Sequence, residues 1–220
     1  MANPFAKLMN KLTGAARATL PQSPAVRQFA QSMEIDYQKW HDGVGYDIGI
    51  IRSATPDDRA QIEAMLAARG VRDWRDAEAL AAIDSPRALA LLKSALGSED
   101  FSVAVAVLNY APNTVSPQER SAVLVAALQR AEFGKGLAEA LRAVEKFHPP
   151  EVIDALLRGA LHRKPSGAHF AGMLMYIHGQ TKTPFDNDLS PFFVRFSGPN
   201  REELFRELCA KINVDPNKYL

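Results

Sequence analysis

The 220-residue sequence has one cysteine, two tryptophans and almost no net charge. A single cysteine excludes an intrachain disulfide framework and is typical of a reducing compartment, so we expect a cytoplasmic protein. Lysine and arginine total 26 against 25 acidic residues, which gives a net charge of +1. Because no overall field attracts nucleic acid or anionic lipid, we do not expect nucleic acid as a partner.

Long apolar runs are also missing. No stretch of 18 apolar residues occurs, so we expect no membrane span. Near the N-terminus Phe5, Leu8, Met9 and Leu12 recur at helical spacing without the unbroken apolar core of a signal peptide. The favoured interpretation is an amphipathic helix that covers one end of the fold, and the alternative is a helix that lies on a membrane.

The familiar motifs of catalysis and cofactor binding are absent. The glycine pairs in segments 43–45 and 134–136 lack the third glycine of a dinucleotide fingerprint and the spacing of a phosphate loop. The five histidines are scattered, and His169 and His178 fall on different sides of one predicted helix, where they cannot form a metal pair. We therefore predict no cofactor, no metal site and no enzymatic activity.

What the sequence does contain is a repeat of about 32 residues. The pattern Leu-x-x-x-Leu occurs at residues 92–96, 124–128 and 157–161. A proline that can open a helix precedes each copy: Pro86, Pro117 and Pro150. A repeat of this length, made of two short helices, predicts a stacked helical solenoid.

Capping residues and glycines mark the predicted helix ends. Thr55 precedes Pro56 at one helix start, and Gly70 follows Arg69 at its end. Segment 48–52 is ambiguous between helix and strand, whereas segment 103–107 is assigned to a helix despite its valines because it lies within the repeat. We predict helices at about 25–40, 56–69, 73–83, 86–97, 100–110, 117–131, 134–147, 150–163, 166–177 and 200–211.

Residues 78–96, EALAAIDSPRALALLKSAL, resemble the short variety of HEAT repeat. The match comprises a first helix with an Ala-Leu pair, a tight Asp-Ser-Pro-Arg turn and a second helix ending in Leu-x-x-x-Leu. The resemblance covers about residues 73–163 and implies an all-α fold, a right-handed α-solenoid of HEAT-like hairpins. This architecture hosts many functions and implies none by itself.

We expect one helical-repeat domain over residues 1–220. Its predicted parts are an N-terminal capping region at 1–54, HEAT-like repeats at 55–165 and C-terminal capping helices at 166–220. Within the last part, Phe192, Phe193 and Phe196 are expected to pack the C-terminal loop against the helices, with an exposed aromatic anchor as the alternative. Cys209 shares an apolar helical face with Leu208 and is predicted to be buried.

A second resemblance concerns residues 37–47, YQKWHDGVGYD, together with residues 70–76, GVRDWRD. This combination is similar to small bacterial HEAT-like proteins that act as immunity partners of secreted toxins. The resemblance implies a non-enzymatic scaffold that binds another protein and neutralises a cognate toxin. The alternative is a nucleic-acid-binding or DNA-glycosylase-like helical-repeat protein, for which Arg142, Arg158, Arg163 and Lys164 could supply a basic face.

Aromatic and arginine side chains are the commonest anchors of protein interfaces. The candidate anchors are Trp40, Tyr46, Arg72, Trp74 and Arg75. His41, Asp42 and Asp47, in the same loop as Tyr46, are further candidates for contact with the partner.

The loop that contains the first two anchors has two interpretations. His41 with Asp42 or Asp47 could act as an acid–base pair. The favoured interpretation is a glycine-rich turn whose aspartates bind backbone amides, while Trp40 and Tyr46 anchor the turn to the core.

Polar residues in the repeats provide further candidates for partner binding. Lys93, Gln129 and Arg158 stand next to the leucines of successive second helices, about one repeat apart. We expect stacking to bring them into one row on the concave side, and the alternative is that they are only the solvated sides of amphipathic helices.

Overall fold

The computed structural model describes residues 23–132, 135–164, 166–184 and 186–220. Every regular element in these ranges is helical, and the only bridges found there are isolated ones between Glu132 and residues 135 and 136. The predicted all-α class is therefore confirmed, including a helix over the valine-rich segment 103–107. The amphipathic N-terminal helix predicted around residues 5–12 lies outside the described residues.

The chain divides into two compact units, Met1–Ile62 and Glu63–Leu220. The single domain over residues 1–220 stays a prediction. The helices of the first unit are α1 (Pro24–Ser32), α2 (Tyr37–His41) and α3 (Ile48–Ser53). Helix α4 (Pro56–Arg69) runs from the first unit into the second.

The helices of the second unit follow closely on one another. They are α5 (Trp74–Ile83), α6 (Pro86–Ala95), α7 (Phe101–Tyr110), α8 (Pro117–Arg130), α9 (Leu137–Lys146), α10 (Pro150–His162), α11 (Gly167–Ile177), α12 (Ser190–Val194) and α13 (Arg201–Ile212). Single 3-10 turns occur at Pro112–Thr114, Asn187–Leu189, Arg195–Ser197 and Pro216–Lys218.

Capping side chains and a glycine close in sequence determine several of these helix ends. The side chains of Thr55, Asp73 and Ser85 accept bonds from backbone amides at the starts of α4, α5 and α6. Ser116 and Glu119 form a reciprocal capping box at the start of α8. Gly70 has φ +75°, the left-handed conformation predicted for the end of α4.

The predicted helix at 25–40 is wrong, because the chain forms two helices there. Helix α1 ends at Ser32, and Asp36 starts α2 by accepting a bond from the Lys39 amide at 2.8 Å. In one continuous helix the Lys39 amide would donate to the backbone carbonyl four residues before it. The Asp36 side chain takes this donor instead. Helix α12 was also not predicted, and Asn200 precedes α13 without a side-chain capping bond.

Contacts in the second unit alternate along the chain. Helix α5 packs on α7, α7 on α9 and α9 on α11, while α8 packs on α10 and α10 on α13. Helices that follow one another, such as α5 and α6 or α10 and α11, also pack together. The repeated leucines fill the seams between these helices, since Leu92, Leu124 and Leu157 are all buried.

Two arginines join the helix ends in the second unit. The guanidinium of Arg163 donates to the carbonyls of Leu128 at 2.7 Å and Ala131 at 2.6 Å, at the end of α8. That of Arg201 donates to Leu161 at 3.2 Å and to the carbonyl of Arg163 itself at 3.1 Å, at the end of α10. Each arginine thus satisfies carbonyls at the negative end of a helix dipole.

Arg201 is held tightly. It is buried, and the carbonyl of Phe196 accepts two more of its N–H groups, at 2.9 and 3.1 Å. Burial lowers the pKa of this guanidinium from its usual value. A Cβ on Gly167 would lie 2.7 Å from the Nη2 atom of Arg201, so only glycine leaves room for it there.

We expect Arg201→Met to destabilise the protein by about 3 kcal/mol, because buried carbonyls at the end of α10 would lose their donors. Arg206→Met is the matched control on the same helix, since Arg206 is exposed and makes one long bond of 3.4 Å to Asn217. The control should change stability by less than about 0.5 kcal/mol. Urea unfolding measures both, and equal effects would contradict the assignment of Arg201 as the link between helix ends.

Candidate partner-binding site

The most exposed aromatic side chains of the described residues lie together on α2. Tyr37 is 75% exposed and Trp40 is 63% exposed. The ring centroid of Tyr37 lies 6.1 Å from that of Trp40 and 6.0 Å from that of His41. These three residues are here called the aromatic patch. Large rings left in water cost solubility, and such patches commonly mark interaction sites.

Helix α2 is short, but hydrogen bonds fix both of its ends. Asp36 caps its start, and at its end the amide of Val44 donates to the carbonyl of Lys39 at 2.9 Å. Gly43 adopts φ +66°, and its amide donates to the carbonyl of Trp40 at 3.2 Å. The patch is therefore displayed on a defined turn, not on a freely moving loop.

The chain after the turn is anchored in the core of the first unit. Tyr46 is buried, and its ring meets the fully buried ring of Phe29 edge-to-face at 5.9 Å. The amide of Asp47 donates to Ser32 Oγ at 3.2 Å, and the Asp47 carboxylate caps α3 through the amide of Gly49 at 3.0 Å. The predicted core role of Tyr46 is thus confirmed. The same prediction for Trp40 is wrong, because α2 turns that side chain outward.

His41 and Asp42 form a hydrogen-bonded pair, with 3.0 Å between Nδ1 and Oδ1. The Asp42 carboxylate also accepts from the Gln38 amide group at 2.7 Å. These two bonds, that of Gln38 first, lower the pKa of Asp42. The side chains of His41 and Asp42 are 63% and 48% exposed, so water screens the electrostatic attraction within the pair.

Tyr37 belongs to the site but was not among the predicted residues. Its spacing to Trp40, three positions along a helix that begins after Asp36, was a usable signal. The same spacing occurs in the predicted helix over 25–40, so the spacing alone did not show that this face is turned to water.

The remaining predicted anchors lie in the second unit and are more enclosed. Trp74 is half-buried and stacks on Tyr110, with 6.2 Å between ring centroids. The guanidinium of Arg75 is buried 4.8 Å from the Trp74 ring centre, and Asp73 lies 3.5 Å away as its ion-pair partner. Arg72 is exposed and donates to the carbonyl of Arg69 at 3.0 Å. Of this group, Arg72 offers the most accessible cation.

The three polar residues of the predicted row are all exposed. Lys93 reaches the first turn of α8, where its ammonium lies 3.7 Å from Glu119. Gln129 is ten residues further along α8, roughly 15 Å at the rise of an α-helix. Arg158 is paired with Asp154 on α10 at 2.8 Å. The ammonium of Lys93, a residue of α6, therefore lies near the start of α8, whereas Gln129 lies near its end. The single row on the concave side stays a prediction.

Two of the four cations considered for nucleic-acid binding have other roles. Arg163 caps α8 through its carbonyls, and Arg158 pairs with Asp154 while its guanidinium lies 5.5 Å from the Tyr219 ring centre. Arg142 and Lys164 remain exposed. Engaged guanidinium groups have fewer donors left for phosphates, so this group is a weak candidate for a nucleic-acid face.

Other sequence predictions about the second unit hold. Phe192, Phe193 and Phe196 are buried, which confirms the packing interpretation over that of an exposed anchor. Cys209 is buried as predicted.

Among the described residues, no group of three or more histidine, cysteine or acidic side chains could hold a metal ion. No helix in these parts of the chain has both the length and the apolarity needed to cross a membrane.

Comparison with known protein families, with curated proteins and with solved structures gives no significant match to this chain.

Substitutions of Tyr46 and Trp40 should have different effects on stability, because one ring is buried and the other is exposed. We expect Tyr46→Ala to destabilise the protein by about 3 kcal/mol, because it leaves a cavity next to Phe29. Trp40→Ala should change stability by less than about 0.5 kcal/mol, since its ring lies mostly in water. Thermal unfolding followed by circular dichroism measures both variants. A large loss of stability in Trp40→Ala would show that the ring is packed after all.

The buried thiol should give the protein a measurable pH dependence. Burial, with a smaller effect of Asp215, raises the pKa of Cys209 from 9.0 to about 11. The free energy of unfolding should therefore fall as pH rises between these values, because only the unfolded thiol ionises there. The difference between the wild-type protein and Cys209→Ala isolates this effect from other titrating groups. A thiol reagent near neutral pH should label Cys209 only after denaturation, and rapid labelling of the native protein would argue against burial.

Proposed function

We propose that the protein is a non-enzymatic binding module that recognises another protein through the aromatic patch. The observation that carries the proposal is the outward pair of Tyr37 and Trp40 on a turn fixed at both ends. Tryptophan and tyrosine dominate the energetics of protein interfaces, where single anchors contribute 2 kcal/mol or more. A fixed turn also lowers the conformational entropy lost on binding.

The surrounding polar groups suit the same role. Asp42 and His41 offer an acceptor and a ring nitrogen at the edge of the patch, where an interface has its polar rim. A complex of nanomolar affinity needs roughly −12 kcal/mol, usually from about 800 Å² on each partner. The patch alone is smaller than such an interface, so it acts as the central anchor of a wider contact.

We further propose that the second unit is a stack of HEAT-like helical pairs and that the partner is a toxin, which this chain neutralises as an immunity protein. The alternating contacts of α5, α7, α9 and α11 are those expected for stacked pairs. The immunity role rests on the resemblance of residues 37–47 and 70–76 to such proteins. The exposure of Trp40 within the first of these segments supports a role in contact with the partner.

The product of the neighbouring reading frame is the partner to test first. Tagged wild-type protein should capture it on co-expression, whereas Tyr37→Ala with Trp40→Ala should lower the affinity at least about 30-fold. If that product is toxic, the wild-type protein should restore growth and the double variant should not.

Val194→Ala is the matched control, because Val194 is an equally exposed apolar side chain on α12. The control should retain capture, affinity and protection. If the double variant retains the partner at unchanged affinity, this result would contradict the proposal that the aromatic patch is the anchor. Circular dichroism of each variant verifies that the fold is intact.

A further inference from the structure

We infer that the aromatic patch takes a basic segment of its partner, with a lysine or arginine side chain placed over the ring of Trp40. This inference rests on the proposed function and specifies the chemistry of the partner that the patch recognises.

The charge around the patch has one dominant sign. Segment 34–47 contains four carboxylates, those of Glu34, Asp36, Asp42 and Asp47, and one lysine. All four acidic residues are exposed. The single ammonium, that of Lys39, is directed to the carbonyl of Glu34 at 2.8 Å. The protein as a whole is nearly neutral, so this local excess of negative charge is a property of the patch and not of the chain.

The rings themselves are suited to a cation. A guanidinium or ammonium is attracted to the face of tryptophan or tyrosine within about 6 Å of the ring centre. The chain already uses this contact, since Arg75 lies 4.8 Å from the centre of Trp74 and Arg158 lies 5.5 Å from that of Tyr219. In the described part of the chain no cation lies over Trp40, whose ring remains available to a cation from outside.

Asp36 and Asp42 flank the two rings along the chain, one before Tyr37 and one after His41. A cation over Trp40 would be attracted by the ring and by the net negative charge of the turn to which both carboxylates belong. The same carboxylates repel phosphate groups, so stacked bases of a nucleic acid are a poor fit despite the two aromatic rings. Complementary charge also speeds encounter with a basic surface.

Binding of short labelled peptides to the full chain tests the inference by fluorescence anisotropy. The probes are a peptide of alternating arginine and glycine, its glutamate counterpart and a thymidine oligonucleotide of similar length. We expect saturable binding of the arginine peptide only. Its affinity should fall about fivefold in Trp40→Ala, and Asp36→Asn with Asp42→Asn should have a similar effect at about 50 mM salt and little effect at about 500 mM.

Asparagine at residue 36 can still cap α2, so the double asparagine variant removes charge without removing the turn. The control is Glu202→Gln with Glu203→Gln, which removes two exposed charges at the start of α13 and should leave binding unchanged. Absence of saturable binding by the arginine peptide would overturn the inference. Equal binding of the glutamate peptide or the oligonucleotide would also overturn it.

The capture experiment on the neighbouring product distinguishes this inference from the function on which it rests. If Tyr37→Ala with Trp40→Ala loses the partner while the double asparagine variant keeps it at full affinity, the patch binds protein but the basic-segment inference is wrong. If the alanine variant also keeps the partner, the proposed function itself fails.

Discussion

The second unit depends on how the carbonyls at its helix ends are satisfied. A helix leaves its last carbonyls without partners, and a guanidinium can serve several of them at once. Arg163 does so for α8 and Arg201 for α10, and the carbonyl of Arg163 is itself an acceptor for Arg201. The two guanidinium groups thereby connect the end of α8, the end of α10 and the start of α13, which are distant in sequence. The neighbouring packing must leave room for this link, which is why residue 167 is a glycine.

The aromatic patch is held in a different way, because its position depends on local hydrogen bonds and its rings contribute little to the core. Asp36 and Gly43 define the turn, and Tyr46 attaches it to Phe29. This division of roles lets the exposed rings vary without disturbing the fold. If the patch binds a partner as proposed, substitutions on this one short turn would change the partner while the helices that carry it remain as they are.

The features that sequence analysis predicted correctly are local ones. Proline and its preceding cap determine the starts of α6 and α8, and Gly70 determines the end of α4, because each acts through its own backbone angles and nearest amides. The exposure of Trp40 could not be predicted in this way. It depends on where α1 ends and on Tyr46, rather than Trp40, filling the core. The roles of Arg163 and Arg201 were missed because the carbonyls that they bind at the ends of α8 and α10 lie more than 30 residues away in sequence.

A permanently displayed tyrosine–tryptophan pair also has a consequence for the free protein. Until a partner covers them, the same rings are available to any apolar surface, including that of a second copy. The two exposed rings therefore lower the concentration at which the uncomplexed chain stays dispersed. If the rings bind a partner as proposed, production of the protein in step with that partner would keep most copies covered.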